Sequence, residues 1–591
     1  MKKMYTVQTL ILPQGDELPG ELFCRGDCQY EDGTLRLKEG GELRFNTYFN
    51  SFSAAQWREL TEIRKLRFFL TLRGTGRVQL RRADSRGREK LIGETAFSLD
   101  RETDFEVGKA FSISKLGHTC WLTVLADGGD VSLSGGSIRT ETQPLQQPKI
   151  ACCFCTYKRE KEIRRNVRDL LDGFRTGDSL LNGKTDIYIA DNGHTLTRED
   201  FGNAEQVFLF ENRNYGGSAG FTRCLIEAGL KKKGTYSHLL LMDDDALIRS
   251  FVLERTAQLL SFLKPEYQGH MIGGALLSLQ QPWLQAENGA EFLNRDGVLN
   301  RDRVDLRDFH NVLINQRRLE DVNYNAWFFS CIPSGFVTET NLPMPFFIHG
   351  DDIEYGLRFQ KKILTMNGIC IWHPDPASNI RASMDYYNHR NYGIIEAIHW
   401  PGLTAGRYWL TETKKILRYM TEYQYESAWY AIRGCRDFLK GIDWFKQQDP
   451  ERLNREVNSW KPMPKCHIEN AAARLERPTG PRRYSKLEKV INLVLPTRVE
   501  SGIYESKDAL WFNNIRAKEY CIINPVTGDG LRFRRDSRKQ KALLKELAVL
   551  RREILANYDR VAKEWQERAQ EVTNLNFWTD YLGLQTEEKQ P

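Results

Sequence analysis

The chain has 591 residues, 41% hydrophobic and 28% charged, which excludes a disordered, collagen-like or repeat-dominated protein. At about 150 residues per domain, two to four domains are expected. Lys and Arg number 85 against 78 Asp and Glu, a surplus too small over this length to argue for nucleic-acid binding.

The opening MKKMYTVQTLILPQGDELPG has an apolar run too short and interrupted for a signal peptide. No window approaches the ~18 uninterrupted apolar residues of a membrane span, so a cytoplasmic protein is expected. The twelve cysteines agree, since most sit in apolar context. Cys24 and Cys28 have no second pair at ligand spacing, and plain thiols are expected there.

Residues 1–147 carry short alternating runs between Gly, Asp and Ser signals, as in LRFFLTLRGTGRVQLRR and CWLTVLADGGDVSLSGG. This pattern predicts an N-terminal antiparallel β-sandwich, closed by the linker TETQPLQQPK. Over 148–400 the rhythm becomes strand then helix. KIACCFC leads to EKEIRRNVRDLLDGF, with Ile163, Val167, Leu170, Leu171 and Phe174 at helical spacing. TDIYIADNG, QVFLFENRNYGGSAG and HLLLMDDDA supply further strands. An α/β catalytic domain is predicted, a mostly parallel sheet with helices on both faces. Such sheets bind ligands beyond the carboxyl ends of their strands. Residues 401–591 read as a C-terminal helical domain, with a Pro-containing break at 461–481 and a long charged helix over 536–570.

The strand ends carry the chemistry. Asp243, Asp244 and Asp245 follow HLLLM; on an extended chain the first and third share a side. Three adjacent carboxylates repel, and a divalent cation gripping a diphosphate relieves the repulsion. An acidic turn capping the next helix is the plainer reading. A second pair, Asp351 and Asp352, follows PFFIHG and opens a helix with Glu354. One of the two suits a general base, although simple N-capping also explains acids there. His373 ends another apolar strand, CIWHP, as a transition-metal ligand or a packed residue. The glycine loop NRNYGGSAGF precedes a helix, where backbone N–H groups can approach phosphate, but it lacks the dinucleotide fingerprint. Asp191 and Asn192 close the second strand and Arg159 follows the first, completing the outline of a nucleotide-diphosphate site.

This order of blocks resembles the polymerising galactofuranosyltransferases, inverting family 2 glycosyltransferases of the GT-A fold. The matching text is FNTYFNSFSAAQWREL, TGRVQLRR, CTYKRE, NRNYGGSAGF, LLMDDDALI, VNYNAWFFSCIP, MPFFIHGDDIEYGLR, IWHP and YYNHRNYGI. The resemblance implies Mn²⁺ or Mg²⁺ at Asp243, Asp245 and His373, and Asp352 as the base for the acceptor hydroxyl. It implies a UDP-sugar site at Arg159, Asp191, Asn192, Asp244 and the loop residues Asn214, Gly216, Gly217 and Ser218. Glu287 is a weaker match to a hydroxyl-binding acid. Trp327, Phe328, His349 and Asp351 would line the acceptor side, with Trp327 as an aromatic platform. The acceptor would be a cell-surface or polyprenyl-linked glycan and the protein a homo-oligomer.

Two departures stand out: the family's tryptophan before the acid pair is Gly350, and its paired tryptophans are Trp327 and Phe328. Donor and acceptor are therefore less fixed than the reaction type. A rhamnosyl- or hexosyltransferase remains open, as does a non-catalytic glycan-binding scaffold. A nucleotidyltransferase would need a glycine-rich loop on the first strand, and CTYKRE has none. The charge surplus has a location as well. RFRRDSRKQKALLK, Arg532–Lys545, carries seven basic residues against one acid. It opens a helix with apolar positions at Leu543, Leu547, Leu550, Ile554, Tyr558 and Val561. This is either a core-facing stripe or peripheral attachment to anionic membrane lipid.

Overall fold

Alternating runs in the N-terminal region become antiparallel strands bound through one 19-residue strand, Lys65–Ala83. Its first half pairs with Val131–Thr140, its second with Thr119–Leu125, and its other edge with the 18-residue strand Glu89–Glu106. The result is the expected N-terminal β domain, its strands joined in one connected hydrogen-bonded network. Register shifts at Leu72/Gly74 and Leu80/Arg81 let so long a strand bend. The computed structural model describes residues 3–13, 15, 17–176, 179–293, 296–317, 322–374, 381–474, 499–505, 517–524 and 527–584. Residues 475–481 of the expected proline-containing break lie outside these.

A second sheet begins at Ile150–Thr156. Four parallel strands run in the order Val207–Glu211, Thr185–Asp191, Ile150–Thr156, His238–Asp243. The order then reverses direction in sequence, with the first strand flanked by the second and fourth. Such a switch point opens a crevice at the carboxyl ends of the strands. Beyond it the sheet is mixed rather than mostly parallel in its pairing. Phe329–Pro333 runs antiparallel between His238–Asp243 and Ile272–Ser278, and Leu284–Glu287 is antiparallel to the latter. An apolar run such as FSCIP carries no mark of strand direction, so this was not legible. Leu364–His373 pairs in parallel with Ile272–Ser278 and sets His373 opposite Ser278.

Both sheets belong to one compact unit: Met1–Arg213, Gly220–Leu342 and Tyr355–Pro374. A single apolar core takes in Trp57 and Leu70 from the first region and Phe154, Leu240, Leu260 and Ile371 from the second. Arg255, buried on the helix Ser250–Phe262, donates to the carbonyls of Phe49 and Thr9, both at 3.0 Å.

The other unit is Asn214–Ala219, Pro343–Glu354 and Asp375–Pro591. It is largely helical, as predicted. The long helix spans Ser537–Arg568, and Asp536 caps it through the amides of Arg538 and Lys539. Its stripe of Leu543, Leu547, Leu550, Ile554, Tyr558 and Val561 is buried, with Tyr558 stacked on Tyr408 at 4.5 Å. Those apolar side chains are used in packing. A four-stranded sheet was not anticipated in this region: Lys465–His467, Asp529–Arg534, Ala517–Ile523 and Val499–Glu505 lie in that order. Its short apolar runs, such as YCII, are masked by the charged residues around them. Among the described residues, no helix is long and apolar enough to cross a membrane.

Candidate active site

The strand His238–Asp243 delivers its acids to a turn, and the strand Leu364–His373 delivers an imidazole to the same place. One ligand atom each from Asp243, Asp245 and His373 lies within 4.8 Å of the others. His373 Nε2 is 3.2 Å from Asp245 Oδ1 and 3.7 Å from Asp243 Oδ2. The imidazole Nδ1 lies 2.7 Å from the Pro374 carbonyl, which can only accept, so Nδ1 carries the proton and Nε2 faces the carboxylates. An imidazole nitrogen beside two carboxylates is a donor set that a divalent cation would hold together, and a backbone-anchored Nδ1–H is the usual support of a metal-binding histidine. The residues present therefore fit Mn²⁺ or Mg²⁺.

Two features that sequence reasoning did not reach hold this cluster. Leu247 and Trp372 exchange backbone hydrogen bonds, at 2.7 and 3.2 Å, and so clip the acid turn to the strand of His373. Asn166, fully buried, donates to the carbonyls of Asp244 and Ala246 at 3.0 and 2.7 Å. A polar residue on the buried face between Ile163 and Leu170 was the available signal. Arg165 Nη2 also donates to the Ala246 carbonyl, at 2.8 Å, so Asn166→Leu would chiefly deprive the Asp244 carbonyl of its donor, costing about 1–3 kcal/mol. Hydrogen exchange at the Ala246–Ile248 amides should accelerate in that variant. Unaltered exchange would deny Asn166 this role.

Arg159, at the N-cap of the helix Glu160–Phe174, pairs with Asp245 and stands 3.6 Å from Asp244 Oδ1. Asp244 turns away from solvent, and burial pushes its carboxyl up to about 6 against the opposing pull of Thr156 and Arg159. Asp191 is 1% exposed, and its carboxylate accepts from the amides of Gly193, Thr195 and Leu196 at 2.7–2.9 Å. It shapes the turn after its strand. Asn192 Oδ1 accepts from Asn212 at 2.8 Å. Trp327 and Phe328 are 6% and 5% exposed. Trp327 lies edge-on to Phe221 and Tyr355. Glu287 ends the strand Leu284–Glu287, opposite Leu276.

The remaining candidates belong to the helical unit. Gly216 has φ +85°, and a Cβ there would stand 1.8 Å from the Phe347 carbonyl oxygen. The Gly217 amide donates to that same oxygen at 3.2 Å, and the buried Ser218 hydroxyl donates to Met344 at 2.5 Å. Gly216 thus serves close backbone approach, and these two donors are engaged within the protein. Asn214 lies just before them.

Asp351 and Asp352 open the helix Asp351–Arg358. The preceding His349 and Gly350 both have positive φ, 65° and 89°. A side chain at 350 would be strained by that φ, and its Cβ would come within 3.0 Å of Ile395, so the family's tryptophan does not suit this backbone. The helix Ala382–His399, which contains the YYNHRNYGI text, fastens the turn. Asn391 donates to the Ile348 and His349 carbonyls at 3.0 and 2.7 Å. His399 Nε2 meets the buried Glu354 at 3.1 Å. None of these fastenings was anticipated.

Comparison with known proteins finds similarity to galactofuranosyltransferases. The family model described as galactofuranosyltransferase 2 N-terminal matches residues 27–138. The galactofuranosyltransferase GlfT2 of Mycobacterium tuberculosis is 25% identical over 93% of this chain and 91% of its own length. Its counterpart from Mycolicibacterium smegmatis is 24% identical over 94% and 91%. Among solved structures, a crystal structure of a mycobacterial protein matches 42% of this chain and 73% of its own at 13% identity. Its TM-score of 0.26 is too low to bear on the fold.

Proposed function

We infer that this chain, a glycosyltransferase of the galactofuranosyltransferase family, transfers galactofuranose from UDP-galactofuranose to a hydroxyl of a cell-surface or lipid-linked glycan, with inversion. The convergence of Asp243, Asp245 and His373, brought together from two separate strands, supports this most directly. The parallel strands with their switch point support a GT-A arrangement of the nucleotide half.

Asp243, Asp245 and His373 would hold Mn²⁺ or Mg²⁺, and the bound cation supplies charge stabilisation to the departing diphosphate. Arg159 would exchange its pairing with Asp245 for the donor phosphates. Asp352 would take the proton of the acceptor hydroxyl. As that oxygen bonds to the anomeric carbon, the bond from the carbon to UDP breaks with its electron pair leaving on phosphate oxygen. One displacement inverts the centre and needs no covalent intermediate. The exposed Arg538, Lys541 and Lys545 would favour an anionic lipid surface by charge alone, at about 1 kcal/mol each, which would suit a lipid-linked acceptor.

A donor panel tests the reading: UDP-galactofuranose, UDP-galactopyranose and dTDP-rhamnose, each with lipid-linked glycan acceptors and product linkage analysis. Transfer from UDP-galactofuranose, with UDP release requiring acceptor and cation, is expected. Transfer from dTDP-rhamnose instead would reassign the donor. Absence of transfer from every donor, with glycan binding retained, would favour a scaffold.

A further inference from the structure

The helical unit contains another convergence of ligand-type side chains, with no role in the reaction above. His389 on the helix Ala382–His399, Glu412 on the helix Ala405–Thr421 and Cys435 on the helix Tyr425–Phe438 each direct one ligand atom to a common point. All three atoms lie within 4.8 Å of one another. Glu412 Oε2 is 2.5 Å from His389 Nδ1 and 2.6 Å from Cys435 Sγ, and that sulfur is 4.0 Å from Nδ1. The residues are 3%, 0% and 0% exposed.

Three helices each give a core position to a polar group here. A carboxylate withdrawn fully from water loses several kcal/mol of hydration unless a charge compensates it. The backbone is arranged for the meeting as well. Gly434 brings its helix so close that a Cβ would stand 2.3 Å from the Tyr386 carbonyl oxygen and 3.2 Å from His389 Cβ.

We propose that His389, Glu412 and Cys435 bind one Zn²⁺ ion, which ties the three helices together. Sulfur, nitrogen and carboxylate oxygen are the donors zinc selects, whereas the Asp243, Asp245 and His373 set has no sulfur and suits harder cations. With bonds of about 2.0–2.3 Å, tetrahedral ligand atoms stand roughly 3.3–3.7 Å apart. The His389–Cys435 separation is close to that range, and Glu412 must withdraw by about 1 Å, within reach of its flexible side chain. Zn²⁺ enters as the thiol proton leaves to solvent, so a thiolate and a carboxylate neutralise the ion. The same helix carries Asn391 and His399, which fasten the 348–354 segment, so the ion would also stiffen the support of Asp351 and Asp352.

The test uses the full-length protein, stripped with chelator and titrated with Co²⁺ alone. A thiolate-to-cobalt charge-transfer band at one equivalent per chain is expected, bleached by an equivalent of Zn²⁺. Asp245→Asn should keep the band and Cys435→Ser should lose it. No sulfur band in the wild-type chain at saturating Co²⁺ would overturn the proposal and leave a hydrogen-bonded His–Glu–Cys network. A band that persists in Cys435→Ser would overturn it equally, by assigning the ion to another cysteine. Should Cys435→Ser fail to fold, His389→Gln serves in its place, with loss of the one-equivalent stoichiometry expected and its retention overturning the site.

Discussion

Asp352→Asn is expected to lower glycosyl transfer by about 10²–10⁴-fold, the usual contribution of a general base, while UDP binding in the presence of cation persists. Asp352 occupies the first turn of the helix Asp351–Arg358, and its Oδ1 accepts from the Ile353 amide at 2.8 Å. Asparagine keeps the shape and an oxygen that accepts from the same amide, but it cannot serve as the base. The positive-φ pair His349–Gly350 and the two Asn391 hydrogen bonds are untouched by the change. A fall in turnover would therefore report lost basicity rather than a displaced loop. Full turnover by Asp352→Asn would remove this residue from the base role.

The parts of this site that could be read from sequence are those with a local signal. An apolar strand running straight into acids announces itself in HLLLMDDD, and the strand ending in CIWH brings His373 to the same place, whereas PFFI before Asp351 and Asp352, expected to be strand-like, forms no strand. The stripe of the Ser537–Arg568 helix was equally plain, because helical periodicity repeats within a few residues. What escaped is non-local. The Leu247–Trp372 bridge joins residues far apart in the chain, and nothing in either sequence window marks it. Asp191 drew notice because it ends a strand, and the three backbone amides that its carboxylate accepts from are invisible in the sequence. The platform role of Trp327 came from the resemblance, and its edge-on contacts with Phe221 and Tyr355 have no signal in the sequence around it. His389, Glu412 and Cys435 fall on three separate helices, so only the packing of those helices brings them into view.

The second large effect is expected at His373. His373→Ala should weaken the cation affinity supporting UDP binding by at least about 10–100-fold, the cost of losing even a second-shell partner of a metal ligand. The imidazole is held from behind by the Pro374 carbonyl and by the backbone pairing of its strand with Ile272–Ser278. Its Nε2 thus reaches Asp243 and Asp245 without a large entropic cost at binding. Removing it leaves two carboxylates with Arg159 already paired to Asp245, and a guanidinium competes with an incoming cation for that oxygen. High cation concentration should then restore much of the lost transfer, because the variant retains Asp243, Asp245 and the base. Titration of UDP binding with Mn²⁺ separates the cases: a rightward shift with recovery at saturation marks a ligand. An unchanged midpoint would take His373 out of the metal site and leave the two aspartates to hold the ion with the diphosphate.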